Sequence, residues 1–192
     1  MAEVPSTMTL KTGDRAPEFS LIDGAGALYC LDDVRGPNGL VIAFVCNHCP
    51  FVIHVAGQFA SIASDYEERG IGFVAINPND VANYPDDAPD KMVLFAQQYG
   101  WDFPYLYDES QEIAKAYSAA CTPDFYVFDG ELGLVYCGQL DDSRPKNDKP
   151  VTGNDLRDAL DRMLAGDPPA SKQKPSTGCN IKWKADNAPD YF

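Results

Sequence analysis

The sequence predicts an α/β sandwich, with helices on both faces of a mixed sheet. Two observations predict it. Apolar runs at 40–45 and 71–76 are continuous, the mark of strands buried on both faces, and stretches of helical spacing follow them. Short strand pairs joined by turn residues stand near the two ends of this alternation, and strands that alternate with helices are covered on both sides. A chain of 192 residues, 45% hydrophobic and 23% charged, can build one domain with a sizeable core.

The elements follow in order. Residues 17–22 read as a strand, Asp23-Gly24-Ala25-Gly26 as a turn and 27–31 as the returning strand. Arg35-Gly36-Pro37-Asn38-Gly39 breaks the chain before the run 40–45. After Pro50, residues Val52, Val55, Phe59, Ile62 and Tyr66 fall at steps of three and four, so they share one helix face, and Gly70 follows as a left-handed cap. Residues 77–90, rich in proline and aspartate, read as a loop, with Asp80 to Asp90 solvated or at the rim of a site. A helix suits 91–99 and an extended piece 103–107, and Asp108-Glu109-Ser110-Gln111 opens a helix through Tyr117. Strands 125–128 and 133–137 flank Asp129-Gly130 as a hairpin, and Leu156, Leu160, Met163 and Leu164 give a last helix stopped by Gly166. One domain over 1–166 results, and 167–192 form a tail.

Charge narrows the partners. The net charge of −14 repels phosphate backbones and anionic lipid heads, so neither nucleic acid nor a membrane surface is expected as a partner. No run of about 18 apolar residues marks a membrane span. The first residues lack a basic end followed by an apolar stretch, so the expected compartment is the cytoplasm.

In that reducing setting the six cysteines are core thiols, metal ligands or redox catalysts. Cys46-Asn47-His48-Cys49 stands where a buried strand ends and a helix begins. Free backbone N–H groups and the positive end of the helix dipole stabilise a thiolate there. The spacing lets one sulfur attack a disulfide and the other displace it, and a protonated His48 adds positive charge beside the thiolate. The other reading is half a zinc site. Zinc takes four ligands, however, and Cys121, Cys137, Cys179 and His54 are scattered, with no second Cys-x-x-Cys. No metal or other cofactor is expected. Ahead of the strand 125–128, Thr122-Pro123 is either an ordinary trans-proline or a cis-proline loop that faces the cysteine pair and offers the Thr122 backbone to a substrate strand. Cys30 and Cys137 read as small core residues, and His54, off the apolar stripe of its helix, as a surface residue.

Several blocks now resemble one family. Ala16-Pro17-Glu18-Phe19-Ser20-Leu21, the strand ending in the Cys-x-x-Cys, and Thr122-Pro123 ahead of a strand are similar to the redoxin branch of the thioredoxin superfamily, the branch of alkyl-hydroperoxide-reductase-like proteins. Cys46-Asn47-His48-Cys49-Pro50, Ile76-Asn77-Pro78-Asn79-Asp80, Cys121-Thr122-Pro123-Asp124-Phe125, Leu140-Asp141-Asp142-Ser143-Arg144-Pro145 and Gly178-Cys179-Asn180-Ile181-Lys182-Trp183 resemble its peroxiredoxin-like group with a thioredoxin-type CxxC. The resemblance runs from about residue 12 to Phe192. It implies a thioredoxin-like three-layer α/β/α sandwich and a thiol–disulfide oxidoreductase. Cys46 is then the nucleophile, Cys49 the resolving thiol, Pro123 the cis-proline and Thr122 the residue before it. The implied partners are a protein or small-molecule disulfide and a thiol electron donor.

Departures from the pattern bear on mechanism. Val45 stands where thioredoxins carry tryptophan, and no acid interrupts 40–45, so a proton leaving Cys49 needs water or an acid from Asn79-Asp80. Peroxiredoxins place Thr three and Pro seven residues before their cysteine; here those positions hold Ala43 and Gly39, or Cys46 and Ile42 when counted from Cys49. Thiol peroxidase is therefore the alternative reading, and a non-catalytic metal-binding module a further one. The tail carries four lysines and no acid from Ser171 to Lys184, together with Ile181, Trp183, Tyr191 and Phe192. It is expected to fold back on the acidic domain through charge and apolar anchors, bringing Cys179 to the rim near Cys46, Cys49 and Cys121, with Cys121 and Cys179 as candidate third redox thiols.

Overall fold

The structure, a computed structural model, describes residues 3–191. In chain order its elements are β1 (Glu3–Pro5), β2 (Ser20–Asp23), β3 (Leu28–Cys30), α1 (Leu31–Val34), β4 (Gly39–Phe44), α2 (Pro50–Glu67), β5 (Ile71–Asn77), α3 (Pro89–Tyr99), β6 (Tyr105–Tyr107), α4 (Glu112–Ala116), β7 (Cys121–Thr122), β8 (Asp124–Asp129), β9 (Leu134–Gly138), α5 (Asn154–Ala165) and β10 (Thr177–Asn180). The hairpin β2–β3 continues through β6 to β5, with β5 and β6 parallel. Strand β4 pairs antiparallel with β8, and β8 with β9. The two parts meet where β5 lies along β4 and the Val45 N–H donates to the Ile76 carbonyl at 2.9 Å.

Every residue of β4 is buried. Its side chains alternate between two cores, as the pleat requires. Val41 and Ala43 join Val52, Phe59 and Ile62 of α2, while Leu40, Ile42 and Phe44 join Leu31, Tyr117 and Tyr126 on the opposite face. Helix α2 begins with Pro50, whose missing N–H is no loss in a first turn, and buries Val52, Val55, Phe59, Ile62 and Tyr66. Among the described residues no helix is long and apolar enough to cross a membrane.

Four local expectations need correction. The returning strand stops at Cys30, because the Asp33 carboxylate accepts the Cys30 N–H at 2.7 Å and caps the short α1. Cys30 is half-buried on that edge strand and not in the core; Cys137 is buried. The loop after β5 is not solvated throughout. Asn77, Asn79, Asp80 and Asp87 are buried, and residues 85–87 make a single 3₁₀ turn before α3. His54 is half-buried and hydrogen-bonded to the Ser143 hydroxyl.

The tail docks mainly through its backbone. Strand β10 lies between β1 and β7, with Cys179 opposite both Glu3 and Thr122. The Ile181 N–H then donates to the Ala120 carbonyl at 3.0 Å, and the Lys182 N–H to Asn79 Oδ1 at 2.9 Å. Ile181 is fully buried and Trp183 partly, while Tyr191 stays 38% exposed with its hydroxyl donating to the Ala119 carbonyl; Phe192 lies outside the described residues. The expected charge clamp is narrower than predicted. Lys174 pairs with Asp142 at 2.9 Å, but the Lys182 ammonium turns back to its own segment, donating to the Asn180 carbonyl at 2.6 Å.

Gly178 makes the β10–β7 approach sterically feasible. A Cβ there would stand 2.0 Å from the Thr122 carbonyl oxygen. Gly178→Ala should therefore lift β10 from β7, at a cost of about 1–3 kcal/mol typical of overpacking. The expected results are a lowered Tm and new tryptic cleavage at Lys182 or Lys184, neither of which precedes a proline. Unchanged protection of both lysines would show that the close approach does not hold the tail.

Candidate active site

The site is built at the end of β4. Val45 is still bonded to β5, so the chain leaves the sheet at Cys46, turns through Asn47 and His48, and enters α2 with Cys49 as its N-cap. The Thr122–Pro123 peptide is cis and closes the site from the other side. The Thr122 hydroxyl lies 3.4 Å from Cys46 Sγ, and the Thr122 carbonyl accepts from the Cys49 thiol at 3.2 Å. Cys46, Cys49, His48, Thr122 and Pro123 thus converge from two segments far apart in the chain.

Cys179 joins them: its thiol meets the Cys49 sulfur. Cys121 does not. Neighbours along a strand face opposite ways, and its sulfur lies 3.8 Å from the Pro123 carbonyl oxygen, behind the loop toward Asp124.

The electrostatics separate the sulfurs. Burial pushes the Cys46 thiol up, and the Cys49 contact and the Asp87 charge add to it. Cys49 is pulled the other way, by the thiols of Cys179 and Cys46 and by the amides of Val52 and Cys179. When Cys49 carries its proton it donates to Thr122; when ionised it is the sulfur with the most donors around it.

Asp87 was not foreseen. The carboxylate is fully buried in the proline- and aspartate-rich segment after β5 and accepts the backbone N–H groups of Asn47 at 2.8 Å and His48 at 3.1 Å. It also accepts from the Asn79 amide at 2.8 Å and bonds His48 Nδ1 at 2.7 Å. The His48 ring stacks on Tyr84 at 5.6 Å with an interplanar angle of 8°. Hydrogen bonding to Asp87 raises the His48 pKa, so the positive charge expected to serve the thiolate is answered first by this carboxylate. Asp80 bonds within its own loop, to the Ala82 N–H and the Asn83 amide, and is no proton relay for Cys49. Nothing in the local sequence sets Asp87 apart from Asp86 or Asp90.

Atoms of Cys46, His48 and Asp87 lie within 4.8 Å of one another, a spacing a metal could use. Both Asp87 oxygens, however, already accept from protein donors, one from Asn47 and His48 and the other from Asn79 and His48. The set fits a hydrogen-bonded turn better than a metal centre. Behind the cis-proline, the buried Asp124 accepts from the Tyr126 hydroxyl at 3.0 Å, and burial pushes its carboxyl up to about 7.

Residues 12–136 match the model of the AhpC/TSA family. A Mycobacterium tuberculosis protein named as a peroxiredoxin is 31% identical over 113 residues, 59% of this chain and 67% of its own length. The thiol-disulfide oxidoreductase ResA of Halalkalibacterium halodurans is 25% identical over 133 residues, 68% of this chain and 70% of its own. Among solved structures, an uncharacterized conserved protein of Geobacillus kaustophilus superposes with a TM-score of 0.93 at 53% identity, over 98% of this chain and 99% of that one. A thiol:disulfide interchange protein DsbE from Chlorobium tepidum, 18% identical with a TM-score of 0.64 over 81% of this chain and 99% of that one, shares the thioredoxin-like fold.

Two pH-dependent outcomes follow. The raised pKa of His48 means that its contribution to stability is present below the ordinary histidine range, about 6.5, and is lost as pH rises through its own higher value. Asp87→Asn should lower the His48 midpoint seen by NMR, and an unmoved midpoint would remove Asp87 as the cause. Asp124 has the opposite consequence. Between its unfolded value of about 3.9 and about 7 the folded state alone holds the proton, so rising pH costs stability across that window. In urea unfolding from pH 4 to pH 8, Asp124→Asn should flatten this fall; an equally steep curve would contradict it.

Proposed function

The chain belongs to the AhpC/TSA family, and we propose that it acts as a thiol–disulfide oxidoreductase whose redox pair is Cys46–Cys49. The observation that carries the proposal is the meeting of the two sulfurs at the start of α2, faced by both the hydroxyl and the carbonyl of Thr122. The similarity to ResA supports this class of reaction.

The steps use groups already in place. Cys46 gives its proton to the Cys49 thiolate and attacks a substrate disulfide, R–S–S–R′. One substrate sulfur leaves as R′S⁻, and a mixed disulfide forms on Cys46. Cys49 passes that proton to R′S⁻, is again the anion its donors favour, attacks the Cys46 sulfur and displaces RS⁻, which takes a proton from water. The products are two substrate thiols and the Cys46–Cys49 disulfide. Asp87 and Thr122 hold the turn and position Cys46 throughout. The substrate is a protein or small-molecule disulfide and the electron donor a thiol, and a reducing compartment such as the cytoplasm belongs to the same proposal.

A peroxidase reading has two points in its favour, the relative named as a peroxiredoxin and a hydroxyl 3.4 Å from Cys46 that could bond a peroxide. The positions of the peroxiredoxin Thr and Pro oppose it. Ala43 and Gly39 are buried within β4, paired with Phe125 and Asp129, and offer no polar side chain to a peroxide.

Pre-reduced protein should reduce a model protein disulfide, and Cys46→Ser should lower that activity at least 100-fold. Cys49→Ser should leave a mixed disulfide trapped on Cys46, visible by mass spectrometry. Full activity of Cys46→Ser would sink the proposal. Peroxide consumption faster than disulfide reduction and dependent on Cys46 would replace it with the peroxidase reading.

A further inference from the structure

We propose that Cys179 is a third redox thiol, through which a low-molecular-weight thiol returns electrons to the Cys46–Cys49 pair. The inference rests on the oxidoreductase reading above and concerns its reductive half.

Access is the first argument. Cys46, Cys49 and Cys179 are 1%, 0% and 3% exposed, so exposure alone does not separate them. Cys179, though itself nearly covered, borders a surface cleft of about 400 Å³ with Glu3, Pro50, Phe51, Arg144, Lys146 and Asn147. A small thiol can enter such a cleft, and its two cations against one carboxylate favour an anionic one. Position is the second. Cys179 is not on a loose end: β10 is paired on both sides, which holds its sulfur against Cys49. Cys49 is the sulfur that both of the others meet, so it can be bonded to either.

The exchange balances. Starting from the Cys46–Cys49 disulfide, the Cys179 thiolate attacks the Cys49 sulfur. A Cys49–Cys179 disulfide forms, and the Cys46 sulfur leaves with the electron pair and takes up the proton that Cys179 gave. No electrons enter or leave in this step. A thiolate RS⁻ in the cleft then attacks the Cys179 sulfur, and Cys49 departs as the thiolate its donors stabilise; a leaving thiol of low pKa leaves faster. A second RS⁻ attacks the sulfur of R, releasing RSSR and freeing Cys179, which is reprotonated. Two RSH are oxidised, and the protein regains two electrons and one proton, with Cys49 left as the thiolate and the second proton released to water. In the reduced protein the Cys179 thiol is pushed up first by its contact with Cys49. In the Cys46–Cys49 disulfide that cause is gone; burial still opposes ionisation of Cys179 and the Lys182 charge still favours it.

The test uses the full chain, with glutathione, an anionic tripeptide thiol, as the probe. Oxidised Cys46→Ser should contain a Cys49–Cys179 disulfide in non-reducing peptide maps. Steady-state reduction of a model disulfide driven by glutathione should fall at least 10-fold in Cys179→Ser. A control separates the two proposals: pre-reduced wild-type protein must reduce its one equivalent of disulfide, and failure there overturns the oxidoreductase reading itself. If that single turnover succeeds but Cys46→Ser forms no Cys49–Cys179 bond, or glutathione drives Cys179→Ser as fast as wild type, the role of Cys179 is overturned alone. The map on Cys46→Ser decides the matter even if Cys179→Ser folds poorly.

Discussion

One buried carboxylate holds the functional end of this molecule together. Asp87 comes from the segment after β5, yet it fixes the backbone of the Cys46–Cys49 turn through the Asn47 and His48 amides. Through Asn79 it also reaches the tail, since the same side chain donates to Asp87 and accepts from the Lys182 amide. Three segments therefore share one charge. A carboxylate out of water is tolerated only when donors satisfy it, and removing a partner from such a group commonly costs about 3–5 kcal/mol. The geometry at Cys46 is thus set by a residue that never bonds its sulfur.

This arrangement also reframes the histidine between the cysteines. A His⁺ alone beside a thiolate would stabilise the reduced pair, but here it shares its charge with Asp87, and the carboxylate itself disfavours a thiolate on Cys46. The anion is favoured three residues further on, at the N-cap of α2. The net charge of −14 acts at long range and is screened beyond about 8 Å, so these short contacts decide where the charge resides.

The framework was legible where the signal is local. The apolar run of β4, the stripe on α2 and the spacing of Cys46 and Cys49 all concern residues close in sequence, and the structure places them as read. The cis form of Thr122–Pro123 came from resemblance to a family, because one proline ahead of a strand suits either isomer. What escaped depends on partners far along the chain. Nothing in Glu3–Pro5 or Cys121–Thr122 looks like a strand; each becomes one only when β10 lies beside it. Asp87 is one aspartate among several, and only its donors, up to 40 residues away in sequence, make it different. Cys30 and His54 failed for a related reason. Alternation and helix faces tell inside from outside only where the neighbouring layer is known.

The pairing of β1 with β10 has a consequence for how the chain folds. Ser6 and Ser176, 170 residues apart, exchange hydrogen bonds at the start of this pairing. Closing so long a loop carries a high entropy cost, and contacts of this separation form late. They are also short strands with few bonds each, which places them at the low end of local stability. The contacts that seclude Cys46 and Cys49 are then the last to assemble and the first to open. Hydrogen exchange at the β10 amides would report, in one rate, both the fraying of the fold and the moments when its thiols meet the solvent.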